Sequence, residues 1–282
     1  MSVGAQVEAG TANTPGAGRI SGAFAAAGAG GRVALIPYVV AGYPDVETSL
    51  SAALAAVDAG ADLLEVGLPY SDPLADGTTL QRASAIALRN GATFDRSIEL
   101  LGRIHLARPG VPLVPMAYVN QALGRGDPLA VLTRLAEAGA SGLILADLTP
   151  DEGAPVEAAA RSAGLALVYL VTPTTPPGRR AMVAGRSGGF LYCVSLVGVT
   201  GARAALPATV ARFVRDVREH SPIPVAVGFG VSRPAHVRRL ARVADGVIVA
   251  SALVDALGAD GRDVGAMGRL VGALRGATAR PT

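Results

Sequence analysis

Short apolar runs rich in β-branched residues recur along the chain, at 33–40, 63–67, 113–116, 142–146, 166–171, 190–194, 224–227 and 246–249. They lack strict polar alternation, which is the pattern of strands buried on both faces. Stretches with helical periodicity lie between them. Residues 46–59 place Leu50, Leu54 and Val57 on one face, 127–138 place Leu129, Leu132 and Leu135, and 207–219 place Val210, Phe213, Val214 and Val217. Glycine follows several of these stretches, as in AGAD at 59–62 and AGAS at 138–141, and reads as a helix C-cap before a strand. Strand starts fall about 22–34 residues apart, one βα unit each. The exception is the gap between 63 and 113, which has room for two helices, at about 79–90 and 94–107. Eight such units predict an α/β fold, a (β/α)8 barrel with an additional helix after strand 2. A doubly wound sheet is the competing architecture. It calls for a glycine-rich dinucleotide loop after the first strand, and VAGYPD at 40–45 is not one.

The ends of the chain read differently. Residues 1–16 are small and polar and are expected to form a disordered tail, with 277–282 a short C-terminal tail. RISGAFAAA, from position 19, predicts an extra N-terminal helix with Ile20 and Phe24 on one face. Residues 17–276 are then expected to be one barrel domain of the 282-residue chain. Half the residues are hydrophobic and mean hydropathy is +0.41, yet no apolar run approaches the roughly 18–20 residues of a membrane span. The start lacks the apolar centre of a secretory signal, so a cytoplasmic location is expected.

Composition narrows the chemistry. The chain contains no lysine, so all 25 cationic side chains are arginine and no side-chain amine is present for a Schiff base. One cysteine, Cys193, and three histidines make a disulfide, a Cys-rich zinc site or a multi-His metal centre unexpected. Net charge is only +3 and the arginines are dispersed, which does not suggest nucleic acid. Anionic small molecules remain suitable partners.

In barrels of this kind function sits at the C-terminal strand ends. Gly228-Phe229-Gly230 after strand 7 and Ala250-Ser251 opening a helix after strand 8 would offer bare backbone N–H groups to a phosphate, with Gly198 and Gly201 of the strand-6 loop completing the cup. Simple turn roles are the alternative for these glycines. Glu65 stands in an apolar strand, and alternation puts Leu63, Glu65 and Gly67 on one face. If that face lines the barrel, Glu65 is a general acid/base with a raised pKa; otherwise it is a structural, hydrogen-bonded carboxylate. Asp76, in ADGTT, reads as a turn or N-cap residue unless its loop folds over the same mouth. Asp72 resembles a turn residue before proline. Tyr192 is expected to line the barrel, and Cys193 to face the other way as an inert thiol. The three histidines lie in helical segments and receive no role.

The stretch LLEVGLPYSDPLADGTTLQRA, together with GRVALIPYVVAGYPD, MAYVN at 116–120, LVTPTTPPGR at 170–179, SLVGVTGAR at 195–203 and VGFGVS at 227–232, resembles the α subunit of tryptophan synthase. The resemblance covers nearly the whole chain from about Arg19. It implies retro-aldol cleavage of indole-3-glycerol phosphate to indole and glyceraldehyde 3-phosphate, without metal or Schiff base. It makes Glu65 the catalytic glutamate and Asp76 the catalytic aspartate. Tyr192 and Thr200 become substrate-site residues, and Gly201, Gly228, Gly230, Ala250 and Ser251 phosphate-site residues. It also implies a pyridoxal-phosphate β partner in an α2β2 tetramer, contacted near Pro69, Asp72 and Asn120, with no cofactor in this chain. Three positions depart from the family pattern. Thr78 replaces a proline after ADG, Thr149 stands where a proline is usual with Pro150 next, and Ala250 replaces a common glycine. A stand-alone lyase releasing free indole is one alternative, and a phosphate-binding barrel isomerase or epimerase another. A non-catalytic subunit that only activates its partner is disfavoured by the intact Glu65/Asp76 pair.

Overall fold

The computed structural model describes residues 10–124, 126–194, 208–228 and 230–281. Its strands are β1 (Ala34–Val40), β2 (Leu64–Gly67), β3 (Leu113–Ala117), β4 (Gly142–Leu145), β5 (Ala166–Val168), β6 (Leu170–Val171), β7 (Leu191–Cys193), β8 (Val225–Gly228) and β9 (Gly246–Val249). They pair in the order β5-β4-β3-β2-β1-β9-β8-β7-β6, and every pair is parallel. β5 and β6 belong to one predicted run, interrupted at Tyr169. There the chain changes neighbours: β5 pairs with β4, whereas β6 pairs with β7. The Tyr169 amide donates to Ser187 Oγ at 3.0 Å and its carbonyl accepts from Tyr192. The eight predicted runs thereby close a barrel.

Two apolar layers follow from strand alternation. Ala34, Ile36, Leu63, Val114, Ile144, Val168, Phe190, Tyr192, Ala226 and Ile248 fill the barrel interior. The outward residues, Cys193 among them, pack beneath the helical ring. The helix Pro15–Ala29 closes the N-terminal end, inserting Ile20 and Phe24 into the interior cluster. The floor is thus sealed by aliphatic and aromatic side chains, and polar groups can gather only at the opposite end.

Both expected tails are corrected over part of their length. Thr11–Asn13 form a short 3-10 helix, and Thr14 caps the helix that begins at Pro15. Thr11 is fully buried, its hydroxyl accepting from the Leu167 amide at 2.7 Å. At the other end Thr278 is buried, its carbonyl accepts from Val33, and Arg280 pairs with Asp245. Small polar residues read as solvated because nothing local shows where they dock. Here they satisfy the open N-terminal edges of β1 and β5, which contacts distant in sequence decide.

The helix Val46–Asp58 also differs. It buries Ser49, Ala52, Ala53 and Ala56, with Leu50 and Val57 only partly covered. Its small face allows close approach to the strand, whereas the leucine periodicity pointed to the neighbouring face. The helices Thr78–Arg89 and Phe94–Ala107 fill the long interval after β2.

Candidate active site

Glu65 occupies the second position of β2, aligned with Tyr38 of β1 and Val114 of β3. Leu63 lies in the interior cluster, so alternation carries Glu65 inward one step higher, toward the open end. It is 1% exposed, and neither carboxylate oxygen has a hydrogen-bond partner among the described residues. Burial, reinforced by the charge of Asp76, raises its pKa to about 8. An unpaired buried carboxylate is destabilising, and among the described residues Glu65 makes no structural ion pair.

Asp76 reaches the same space from the loop between β2 and the helix Thr78–Arg89. Partial burial raises its pKa to about 6, against a hydrogen bond from the Tyr118 hydroxyl that lowers it. That hydroxyl also accepts from the Ala75 amide at 3.0 Å. Further ties hold the loop. Gln121 Nε2 donates to the carbonyls of Leu68 and Pro69 at 3.2 and 2.7 Å, and Gln81 Nε2 donates to the Asp76 carbonyl at 3.0 Å. Tyr70 stacks on Tyr118 with ring centroids 5.1 Å apart. Thr78, at the position where proline is usual, opens the following helix behind Gly77, so these contacts hold the loop without that ring.

Tyrosines wall the mouth. Tyr38 and Tyr192 are buried, and both sense the charges of Glu65 and Asp76. Each ring lies over a glycine of the next strand. A Cβ on Gly67 would stand 1.7 Å from the Tyr38 hydroxyl oxygen, and one on Gly228 would stand 2.2 Å from that of Tyr192. Gly228, expected at the phosphate, also makes room for Tyr192. Tyr38 and Tyr118 received no role from sequence. Tyr38 was detectable, because it follows Ala34 and Ile36 at strand spacing. Gly67→Ala is expected to destabilise the fold by roughly 1–3 kcal/mol through overpacking, and Gly67→Ala/Tyr38→Leu to recover most of that loss in thermal melts.

Gly230 has φ +60 and open space around its missing Cβ, so a side chain there would be strained while a ligand could approach the backbone closely. Ala250 is the N-cap residue of the helix Ser251–Ala256 with φ −117 and ψ −86, outside the main α and β regions. Thr149 is likewise the N-cap residue of the helix Pro150–Ser162, and Pro150 takes the favourable first helical position. Thr200, Gly198, Gly201 and Phe229 lie outside the described residues. Pro69 is buried against Gln121, while Asp72 and Asn120 are exposed near the same rim. Cys193 faces outward, and burial raises its thiol pKa to about 12. Among the described residues no three His, Cys, Asp or Glu side chains gather as a metal-binding set.

Burial has moved the pKa values of the two carboxylates apart in a tyrosine-walled mouth, the separation that acid and base roles require. Comparison with known proteins agrees on the family. The family model described as tryptophan synthase alpha chain matches residues 24–271. The tryptophan synthase alpha chain of Roseiflexus castenholzii is 48% identical over 240 residues, covering 85% of this chain and 91% of that one. That of Deinococcus radiodurans is 45% identical over 259 residues, covering 91% and 94%. A tryptophan synthase structure from Mycobacterium tuberculosis superimposes with TM-score 0.86 at 40% identity, covering 94% of this chain and 99% of its own. The alpha subunit structure from Legionella pneumophila gives 0.84 at 32%, covering 92% and 98%. With barrel, carboxylate pair and relatives in agreement, this chain belongs to the tryptophan synthase alpha chain family.

Proposed function

We propose that Glu65 and Asp76 carry the family's reaction in this chain, the retro-aldol cleavage of indole-3-glycerol phosphate to indole and glyceraldehyde 3-phosphate. The observation that supports it most is the unpartnered Glu65 carboxyl, buried at the barrel mouth within electrostatic reach of Asp76. Cleavage of the bond at indole C3 requires that carbon to become tetrahedral, so a proton must be delivered to it. Glu65, protonated at neutral pH, delivers it. Positive charge then builds on the ring, and ionised Asp76 stabilises it through the indole N–H. The Glu65 carboxylate takes the proton of the glycerol hydroxyl as the carbon–carbon bond breaks, and indole and the aldehyde form. The proton count closes, since Glu65 gives one proton and regains one.

Tyr192 would flank the indole. Gly228, Gly230, Ala250 and Ser251, joined by Thr200 and Gly201, would hold the phosphate and close the site. The residues assigned to this reaction include no cofactor ligand, and pyridoxal phosphate belongs to the β partner. Leu74 is 92% exposed beside Asp72. It borders a cleft of about 500 Å3 that Tyr70, Gln81 and Leu88 also line. A β subunit would dock on the Pro69–Asn120 rim beside this cleft, as in the family's α2β2 tetramer. Among the described residues no helix is long and apolar enough to cross a membrane, and the proposed location is the cytoplasm.

The test is indole release from indole-3-glycerol phosphate by the purified chain, alone and with a tryptophan synthase β subunit. Slow release that the β subunit strongly accelerates is expected. Fast release indifferent to the β subunit would make this a stand-alone lyase, and no release in either condition would overturn the catalytic assignment.

A further inference from the structure

His236 lies behind the proposed phosphate loop. It is the third residue of the helix Pro234–Leu240 and is 6% exposed. The helix receives no side-chain cap from its N-cap residue, Arg233. The His236 ring instead turns back along the chain. The Ser232 amide donates to its Nδ1 at 3.3 Å, and the backbone of Gly230 also hydrogen-bonds the ring. One side chain therefore engages both ends of the three-residue segment 230–232.

Among the described residues Val231 anchors the centre of this segment in the apolar core, which leaves the backbone at its two ends to be set. Gly230 sits at φ +60 with no atom near its missing Cβ, so packing does not fix it. Glycine also has the widest choice of backbone conformations and loses most freedom on being ordered. A backbone that is to meet an anion with its amides gains most from a partner that sets its shape before the ligand arrives. The protonation state suits the task. Burial first, then the charges of Arg233 and Arg239, hold the ring below the usual histidine range against the Gly230 contact. At neutral pH the ring is uncharged, and only the uncharged ring can accept at Nδ1.

We infer that His236 is a positioning residue for the phosphate loop: by accepting from the Ser232 amide and engaging the Gly230 backbone, it pre-shapes the 230–232 segment for the substrate phosphate. This rests on the assignment of Gly230 to the phosphate site. His236 touches no reacting atom, so it acts on binding and not on the carbon–carbon cleavage step.

The experiment uses the full chain with its β subunit and compares wild type, His236→Ala and His236→Gln. Steady-state cleavage of indole-3-glycerol phosphate and competitive inhibition by inorganic phosphate are both measured. Loss of this hydrogen-bonding side chain is expected to raise KM and weaken phosphate inhibition by about tenfold, with kcat changed less than about twofold. Glutamine can accept and donate as the ring does, so it should restore most of both. Folded His236→Ala with unchanged KM and phosphate inhibition would overturn the inference, as would a fall confined to kcat. If the alanine variant does not fold, the glutamine variant decides: near-wild-type binding supports the inference, and tenfold weaker binding in a stable fold overturns it. Gly230→Asp separates the underlying assignment, because it places a carboxylate in the loop. If KM is unchanged in Gly230→Asp, the phosphate assignment fails and this inference fails with it. If KM rises there and not in His236→Ala, this inference alone fails.

Discussion

Replacing Glu65 with glutamine is expected to lower kcat for indole-3-glycerol phosphate cleavage by about 10³-fold, the scale of a lost general acid/base. Glutamine keeps the shape of the side chain and cannot deliver a proton to carbon. Binding should survive, since the phosphate contacts proposed at Gly230 and Ser251 do not involve Glu65. Substrate titration that shows binding lost together with turnover would count against this assignment.

The same substitution should change how stability depends on pH. The pKa of Glu65 is raised from the ordinary 4.5 to about 8 in the folded protein. Between those values the folded carboxyl keeps its proton while the unfolded chain has released it. The folded state then binds more protons, so stability falls as pH rises from about 4.5 to about 8. The glutamine variant lacks this loss. Its melting temperature relative to wild type should therefore climb between pH 5 and pH 8, by an amount on the order of a few kcal/mol in stability. A difference between the two melting curves that stays flat with pH would show that Glu65 is ionised in the fold.

Asp76→Asn is the second large effect, with cleavage expected to fall by about 10²–10³-fold, as when one preorganised electrostatic contact is removed. The amide is nearly isosteric, and the loop keeps its ties from Gln121, Gln81 and the Ala75 amide to Tyr118. The melting temperature should thus move little while activity collapses. Wild-type cleavage should rise as Asp76 ionises near pH 6 and fall as Glu65 loses its proton near pH 8. These limbs belong to the coupled pair. In the asparagine variant the residual activity should lose the acid limb and keep the alkaline one, moved to lower pH because the charge of Asp76 no longer helps raise Glu65. A profile unchanged in shape would assign the acid limb to another group.

The barrel was legible because each buried strand needs an unbroken apolar run, and the eight runs needed no partner to be recognised. Glu65 was legible for the same reason, since one carboxylate among leucines and valines stands out. Asp76 was ambiguous as a residue, and only the family motif distinguished it from a turn aspartate. The inward direction of Tyr38 was legible from its spacing to Ala34 and Ile36, but its place beside Glu65 came only from the strand register. His236 was set aside because its helix lies away from the strand ends in sequence, although its ring returns to Ser232.

By itself the sequence determined the alternation of strands and helices, the absence of a lysine nucleophile and the presence of one anomalous carboxylate. These are properties of local pattern and composition, which residues carry wherever they fold. The tertiary structure alone decided that residues 10–14 and 277–280 satisfy open strand edges and that Gly67 and Gly228 are spaces for tyrosine rings. It also decided that the two carboxylates titrate apart. Each of these depends on which surfaces meet across the barrel and how much water they exclude. Desolvation and close packing are set by that meeting, and no single segment encodes them.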